Sequence, residues 1–241
     1  MEVPEHRVLL GVDVVGSARN EGYHLNTVRG AVDGMVRDAL AVAGIGRLDV
    51  VEWEPTGDGA LLTLPSKRLG AVLDAAHHLD GLAVEHNRHR KPDIRLRLAV
   101  EIGPVGAQPG LYAPKIALCR LLEASAFKEL VRRCAGMNTA LIVSDGVWRA
   151  VFGGDYTRHV RRAEFSPLAV RDKEFAETAW VRVPGFALRS PQPSPAVAEP
   201  TVVEPAAFEP AGRVVNVVNG SVSGVQAGVV HGGVHMGGPT G

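Results

Sequence analysis

The first 185 positions divide into runs with two different periods. Around the first strand, "HRVLLGVDVVG" places Val8, Leu9, Leu10, Val12, Val14 and Val15 in a short, nearly continuous apolar run, the pattern of a buried β-strand. From about Tyr23 to Ala43, Leu25, Val28, Val32, Met35, Val36, Ala39 and Leu40 recur at three-, four- and seven-residue steps, which predicts an amphipathic helix. "LDVVEWEPTGDGALLTL" predicts two strands joined by a tight turn, because Pro55, Gly57 and Gly59 interrupt it with turn formers. A second helix is expected from about Ser66 to Arg90. In "DIRLRLAVEIG" the period is two, with Ile94, Leu96, Leu98 and Val100 on one side and Arg95 and Arg97 on the other. A third helix is expected from about Ala113 to Cys134. A short buried strand "TALIVS", a helical turn "GVWRAVF" and an antiparallel pair "FSPLAV" and "TAWVRV" complete the pattern. The order β-α-β-β-α-β followed by α-β-α-β-β is that of an α+β fold, a ferredoxin-like core with a C-terminal extension.

Periodicity stops at about Gly185, and composition becomes the better guide. Residues 186–212 are rich in Pro, Ala and Glu and read as an extended, disordered linker. Residues 213–241 are rich in Val and Gly, with no charged residue after Arg213. They are too small and glycine-rich to bury a core of their own. Their β-branched residues, low charge and scattered Asn and Gln meet the requirements of cross-β stacking. A plain low-complexity tail is the alternative.

Charge and cysteine content narrow the partners. Lys and Arg total 26 and Asp and Glu total 26, a balance that speaks against bulk binding to DNA, RNA or an anionic membrane. Cys119 and Cys134 are too few for a disulfide framework and are expected as reduced core residues. The N-terminus has no signal-peptide pattern, and no apolar run reaches membrane-spanning length. The expectation is a cytoplasmic protein.

The informative violation of the pattern is Asp13, a carboxylate inside an apolar strand. Such a group costs several kcal/mol unless it is paired, neutralised or bound to a cation. Asp58, in the turn "TGDGALL", is a second carboxylate that a β-α-β-β arrangement brings toward the same end of the sheet. Two convergent carboxylates repel, and a shared proton or a divalent cation relieves them. The plain alternative is that Asp58 only serves the turn and Asp13 is held by local N–H groups.

At these residues the chain resembles the class III nucleotide cyclases, the adenylate and guanylate cyclases. "VLLGVDVVGSA" is similar to their first metal-binding strand, "TGDGALL" to their second metal turn, "IRLRLAVEIGPV" to their central strand and "IALCRLLEAS" to the helix carrying their transition-state arginine. The resemblance runs from about Arg7 to Pro184. It implies a homodimer with sites at the interface, converting a nucleoside triphosphate to a cyclic 3',5'-nucleotide and pyrophosphate. Asp13 and Asp58, with the backbone carbonyl of Val14, would hold two Mg²⁺ or Mn²⁺. Arg120 of the other protomer would stabilise the transferring phosphoryl group, and Glu54, four residues before Asp58, stands at the purine-reading position. The chain departs from the family pattern at Ile116, where Asn is usual, and in the short segment "GPVGAQPGLYAPK". A catalytically inactive pseudo-cyclase, retained as a nucleotide sensor or scaffold, is therefore the alternative. The tail resembles the pseudo-palindromic amyloid-signalling motifs of bacteria, relatives of the necroptosis-type motif, with Gly220, Gly224, Gly228 and Gly232 at four-residue steps around Gln226. That likeness implies a receptor carrying a matching motif and a signalling role of the bacterial-defence kind.

Overall fold

The strand that carries Asp13, β1 (Glu5–Val14), lies in the interior of a seven-stranded sheet. In chain order the remaining elements are α1 (Gly22–Val42), β2 (Glu52–Pro55), β3 (Ala60–Pro65), α2 (Leu69–His89), β4 (Leu96–Val105), α3 (Ala113–Glu123), α4 (Ser125–Arg133), β5 (Thr139–Val143), α5 (Asp145–Phe152), β6 (Ser166–Asp172) and β7 (Phe175–Arg182). The computed structural model describes residues 4–16, 22–106, 110, 112–172 and 175–188. The described residues all lie in one compact unit, Met1–Gln192. The expected linker and Val/Gly tail lie outside the described residues, apart from Phe186–Leu188.

The sheet order is β2-β3-β1-β4-β5-β7-β6. Its first four strands are antiparallel and interleave β1 between β3 and β4, which is the expected ferredoxin-like core. β4 and β5 run parallel, as a crossover through helices requires. β7 then pairs antiparallel with β5 and carries β6 on its outer edge.

Alternation along β1 sorts the core into two layers. Val8, Leu10, Val12 and Val14 pack with Val28, Val32, Met35, Val36, Ala39 and Leu40 of α1 and with Val72, Leu73, Ala76 and Leu79 of α2. Val147 and Val151 of α5 join that layer. Leu9 faces the other way, with Ala99 of β4, Leu118, Leu121 and Leu122 of α3, and Phe127, Leu130 and Val131 of α4. The apolar periodicity of α1 and α2 and the two-sided pattern of β4 are as the sequence predicts.

Two expectations are corrected. The third helix is broken at Ala124, whose backbone leaves the helical region (φ −52°, ψ 125°). The break lets α4 turn and bury its own apolar side, and Ala124 itself is buried. Cys119 is not a core residue but lies exposed on α3, whereas Cys134 is buried as expected; both are free thiols. Beyond Pro184, Phe186 N–H bonds Val183 O (3.1 Å), and Ser166 Oγ donates to Leu188 O (2.8 Å).

Candidate active site

The question posed by Asp13 is answered on the neighbouring strand. Asp13 and Arg97 are directly opposite in the antiparallel β1–β4 ladder, and cross-strand partners of opposite charge attract. Arg97 Nε donates to Asp13 Oδ2 (2.8 Å), and its Nη2 contacts the same oxygen. The guanidinium is fixed from behind by Leu122 O, which accepts from Nη1 at 3.0 Å. Both bonds to Asp13 fall on Oδ2. Burial pushes the Asp13 carboxyl above its ordinary range, against the pull of Arg97. The charges of Asp58 and Glu123 push it further up. Asp13 and Asp58 are thus electrostatic neighbours, although 45 positions separate them in the chain.

The hairpin that delivers Asp58 is built from its glycines. Gly57 has φ +89°, a left-handed conformation that favours glycine, and Thr56 N–H bonds Gly59 O (2.9 Å) to close the turn. A Cβ on Gly59 would lie 1.9 Å from Val12 O and 3.1 Å from Asp13 Cα, so only glycine permits this approach. The turn is pressed onto the backbone of Asp13, and Asp58 stands half-buried beside it. Val14, the last residue of β1, turns its side chain into the α1–α2 layer, where it is buried.

Glu54 has a partner that the sequence pattern did not predict. Lys115 of α3 is buried, 3% exposed. Its Nζ contacts Glu54 Oε1 and donates to Glu52 Oε2 (2.9 Å). Burial draws the Lys115 ammonium down, but its hydrogen bonds to Glu54 and Glu52 outweigh that and hold it above its ordinary value. Glu52 is correspondingly held low, chiefly by the Lys115 hydrogen bond. A buried lysine between two glutamates on an edge strand fixes α3 against β2.

Arg120 lies on the exposed face of α3, in line with Ile116, Cys119 and Glu123 at three-, four- and seven-residue steps. Ile116, where the family pattern has Asn, is 39% exposed. The structure therefore gathers Asp13, Asp58 and Arg97 at one end of the sheet, ties Glu54 to Lys115, and sets Arg120 on an outward face.

Arg97 and Lys115 carry no mark in the sequence that sets them apart as site residues. The strand alternation did place Arg97 on the polar side of β4, but its register against Asp13 is a long-range property. Lys115 carries no local signal of its partners, which lie 61 and 63 positions away.

The donor set suits a hard divalent cation. Two carboxylates at a sheet end could serve as oxygen ligands to such an ion, which would complete its shell with water and phosphate oxygens; among the described residues no group of three or more His, Cys, Asp or Glu gathers to hold one.

No family model matches the chain, and no curated protein matches it. Solved structures do. The adenylate/guanylate cyclase/hydrolase from Silicibacter pomeroyi aligns with TM-score 0.52 and 21% identity, over 75% of this chain and 97% of that one. The guanylate cyclase domain of RhGC from Catenaria anguillulae, solved in complex with GTP, aligns with TM-score 0.52 and 15% identity, over 76% and 99%. A bacterial light-regulated adenylyl cyclase aligns with TM-score 0.52 and 11% identity, over 75% and 90%. The fold is that of the adenylyl and guanylyl cyclase catalytic domain.

Proposed function

We propose that this chain is a class III nucleotide cyclase-like signalling protein that cyclises a nucleoside triphosphate. The observation that carries the reading is the placement of Asp58 beside Asp13 by the Gly57–Gly59 turn, on a cyclase-type fold. Asp13 and Asp58, with the Val14 carbonyl, would hold Mg²⁺ or Mn²⁺, which supplies charge neutralisation at the phosphates and activation of the attacking hydroxyl. In the reaction the 3'-oxygen of the ribose forms a bond to the α-phosphorus. The bond from that phosphorus to the β-bridging oxygen breaks, pyrophosphate leaves, and the hydroxyl proton passes to water. Arg97 keeps Asp13 oriented through Oδ2. Arg120, from the second protomer of a homodimer, supplies positive charge to the phosphoryl group as charge develops there. Glu54 would read the base. The Val/Gly tail brings such dimers to a receptor with a matching motif.

Incubation of the full chain with each of ATP, GTP, CTP and UTP plus Mn²⁺, followed by chromatography, tests the reading. A 3',5'-cyclic product from at least one is expected, and its loss in Asp58→Ala. The second reading, a pseudo-cyclase that senses nucleotide without turnover, is favoured by Ile116 and by the capture of Glu54 by Lys115. No product from any of the four nucleotides would leave that reading in place.

A further inference from the structure

On the face of the sheet opposite α3 lies a cavity of about 740 Å³ that the cyclase reading does not use. It is bounded by the end of α1 at Val42–Gly44, the turn Ser66–Arg68 with the start of α2 at Leu69–Ala71, and the segment Tyr156–His159 after α5. Its size falls within the range of small-molecule sites.

The segment forming its rim is held firmly in place. A Cβ on Gly70 would lie 1.9 Å from Tyr156 O, so the segment lies directly on the first turn of α2. Asp74, buried on α2, accepts from the backbone N–H of Arg158 (3.0 Å) and of His159 (2.8 Å). Thr157 Oγ1 donates to Val160 O (2.6 Å) and tightens the same turn.

That docking concentrates positive charge. Among the described residues Asp74 is the only acid lining the cavity, and backbone N–H groups use its oxygens. Arg68 is committed to Asp49 through Nε (3.0 Å) and Nη2 (2.8 Å). Lys67 and Arg158, both exposed at the rim, form no ion pair among the described residues. His159 is brought against His78, with ring centres 4.7 Å apart, and stacks on His77 at 5.6 Å. Arg182 Nη2 lies 3.3 Å from His77 Nδ1, on the far side of that stack. Two cations and two facing imidazoles thus converge on one opening, beside a first helical turn that contains no acid. Val42, Leu69, Ala71 and the exposed ring of Tyr156 give the same opening an apolar wall.

We propose that this cavity binds a phosphorylated small organic molecule, its phosphate held by Lys67, Arg158, His78 and His159 and its organic part by the apolar wall and Tyr156. Phosphate oxygens accept from all four side chains. A neighbouring dianion favours the charged imidazole, so binding takes up a proton. The charged and titratable groups facing the pair are Asp74, His77 and Lys67 on or before α2, Arg158 on the rim and, behind His77, Arg182 with Glu164.

Calorimetry on the full chain at low salt, in EDTA so that a metal-dependent site stays silent, tests this with AMP and inorganic phosphate. AMP is expected to bind, more tightly than phosphate, with proton uptake detected by repeating the titration in buffers of different ionisation enthalpy. Lys67→Gln combined with Arg158→Gln should weaken AMP roughly tenfold or more, and His78→Gln should remove most of the proton uptake. Asp58→Ala should leave AMP binding unchanged, which separates this site from the catalytic one. Should the double variant fold poorly, Lys67→Gln alone, at an exposed position, carries the test with a severalfold loss. Failure of AMP to bind at millimolar concentration, equal affinity for inorganic phosphate, or unchanged affinity in the charge variants would overturn the proposal. Binding without proton uptake would overturn the role of the histidines.

Discussion

At the scale of single residues, Asp13 shows how a pattern violation can be read and how far. The sequence exposed the problem of a carboxylate in an apolar strand and offered three solutions: pairing, neutralisation or a cation. Arg97 provides the pairing directly, and that changes what substitution should do. Asp13→Ala leaves a half-buried guanidinium without its carboxylate, so apo stability should fall by about 1–3 kcal/mol in denaturant titration. Asp13→Asn keeps an oxygen acceptor for Arg97 and should fall much less. Both should lose Mn²⁺-dependent turnover, because a methyl group offers no ligand and a neutral amide is a poor one. Equal stability of the two variants would show that Arg97 does not depend on Asp13. His78 gives a second prediction at this scale. Burial, then the charges of His159 and His77, hold its pKa below the ordinary 6.5. Between that lowered value and 6.5 the unfolded chain binds more protons than the folded one, so stability rises with pH in that window and is lost as acid is added. Thermal midpoints should therefore fall below pH 6.5 less steeply in His78→Gln than in the parent.

Elements were more legible than their contacts. The apolar steps of α1 and α2, the alternation of β4 and the hairpin at Gly57–Gly59 are local, and each appears where its pattern predicts. The break at Ala124 was not legible, since "LLEASAFKELV" continues a helical composition through it and the reason lies in what α4 must cover. The same holds for the sites. Asp13, Asp58 and Glu54 stand in short, recognisable strings, whereas Arg97, Lys115 and His159 acquire partners only through register, helix docking and a loop anchored on another helix. The β2–β3 turn is the element on which the metal-site reading rests, and it can be tested without touching a carboxylate. Gly59→Ala puts a methyl group against Val12 O. It should cost about 1–3 kcal/mol of stability and, by moving Asp58, lower turnover more than saturation with Mn²⁺ can restore. Normal activity in a folded Gly59→Ala protein would show that Asp58 need not stand where this turn puts it.

At the scale of the whole molecule, the outward position of Arg120 makes sense if a second protomer completes the site. Mixing an Asp13→Ala protein with an Arg120→Ala protein should then recover part of the activity. In each heterodimer one site would carry both substitutions and the other neither. Failure of recovery despite demonstrated subunit exchange would refute shared sites. Such a dimer would be concentration-dependent, and the tail would offer a way to control it. Residues 213–237 combine nine valines with glycines at four-residue steps, a spacing that keeps those glycines on one side of an extended strand. Stacking of such segments from many chains would raise the local concentration of the N-terminal units and favour the dimer without any new contact between them. A peptide of residues 213–237 should form thioflavin-positive fibrils with a ~4.7 Å repeat, and Gln226→Pro should abolish them. In the full chain the same substitution should leave per-dimer turnover intact at high protein concentration and lower it at dilution. A seeded wild-type peptide that stays soluble for days would remove the basis for tail-driven assembly, while the cyclase reading would stand on Asp13 and Asp58 alone.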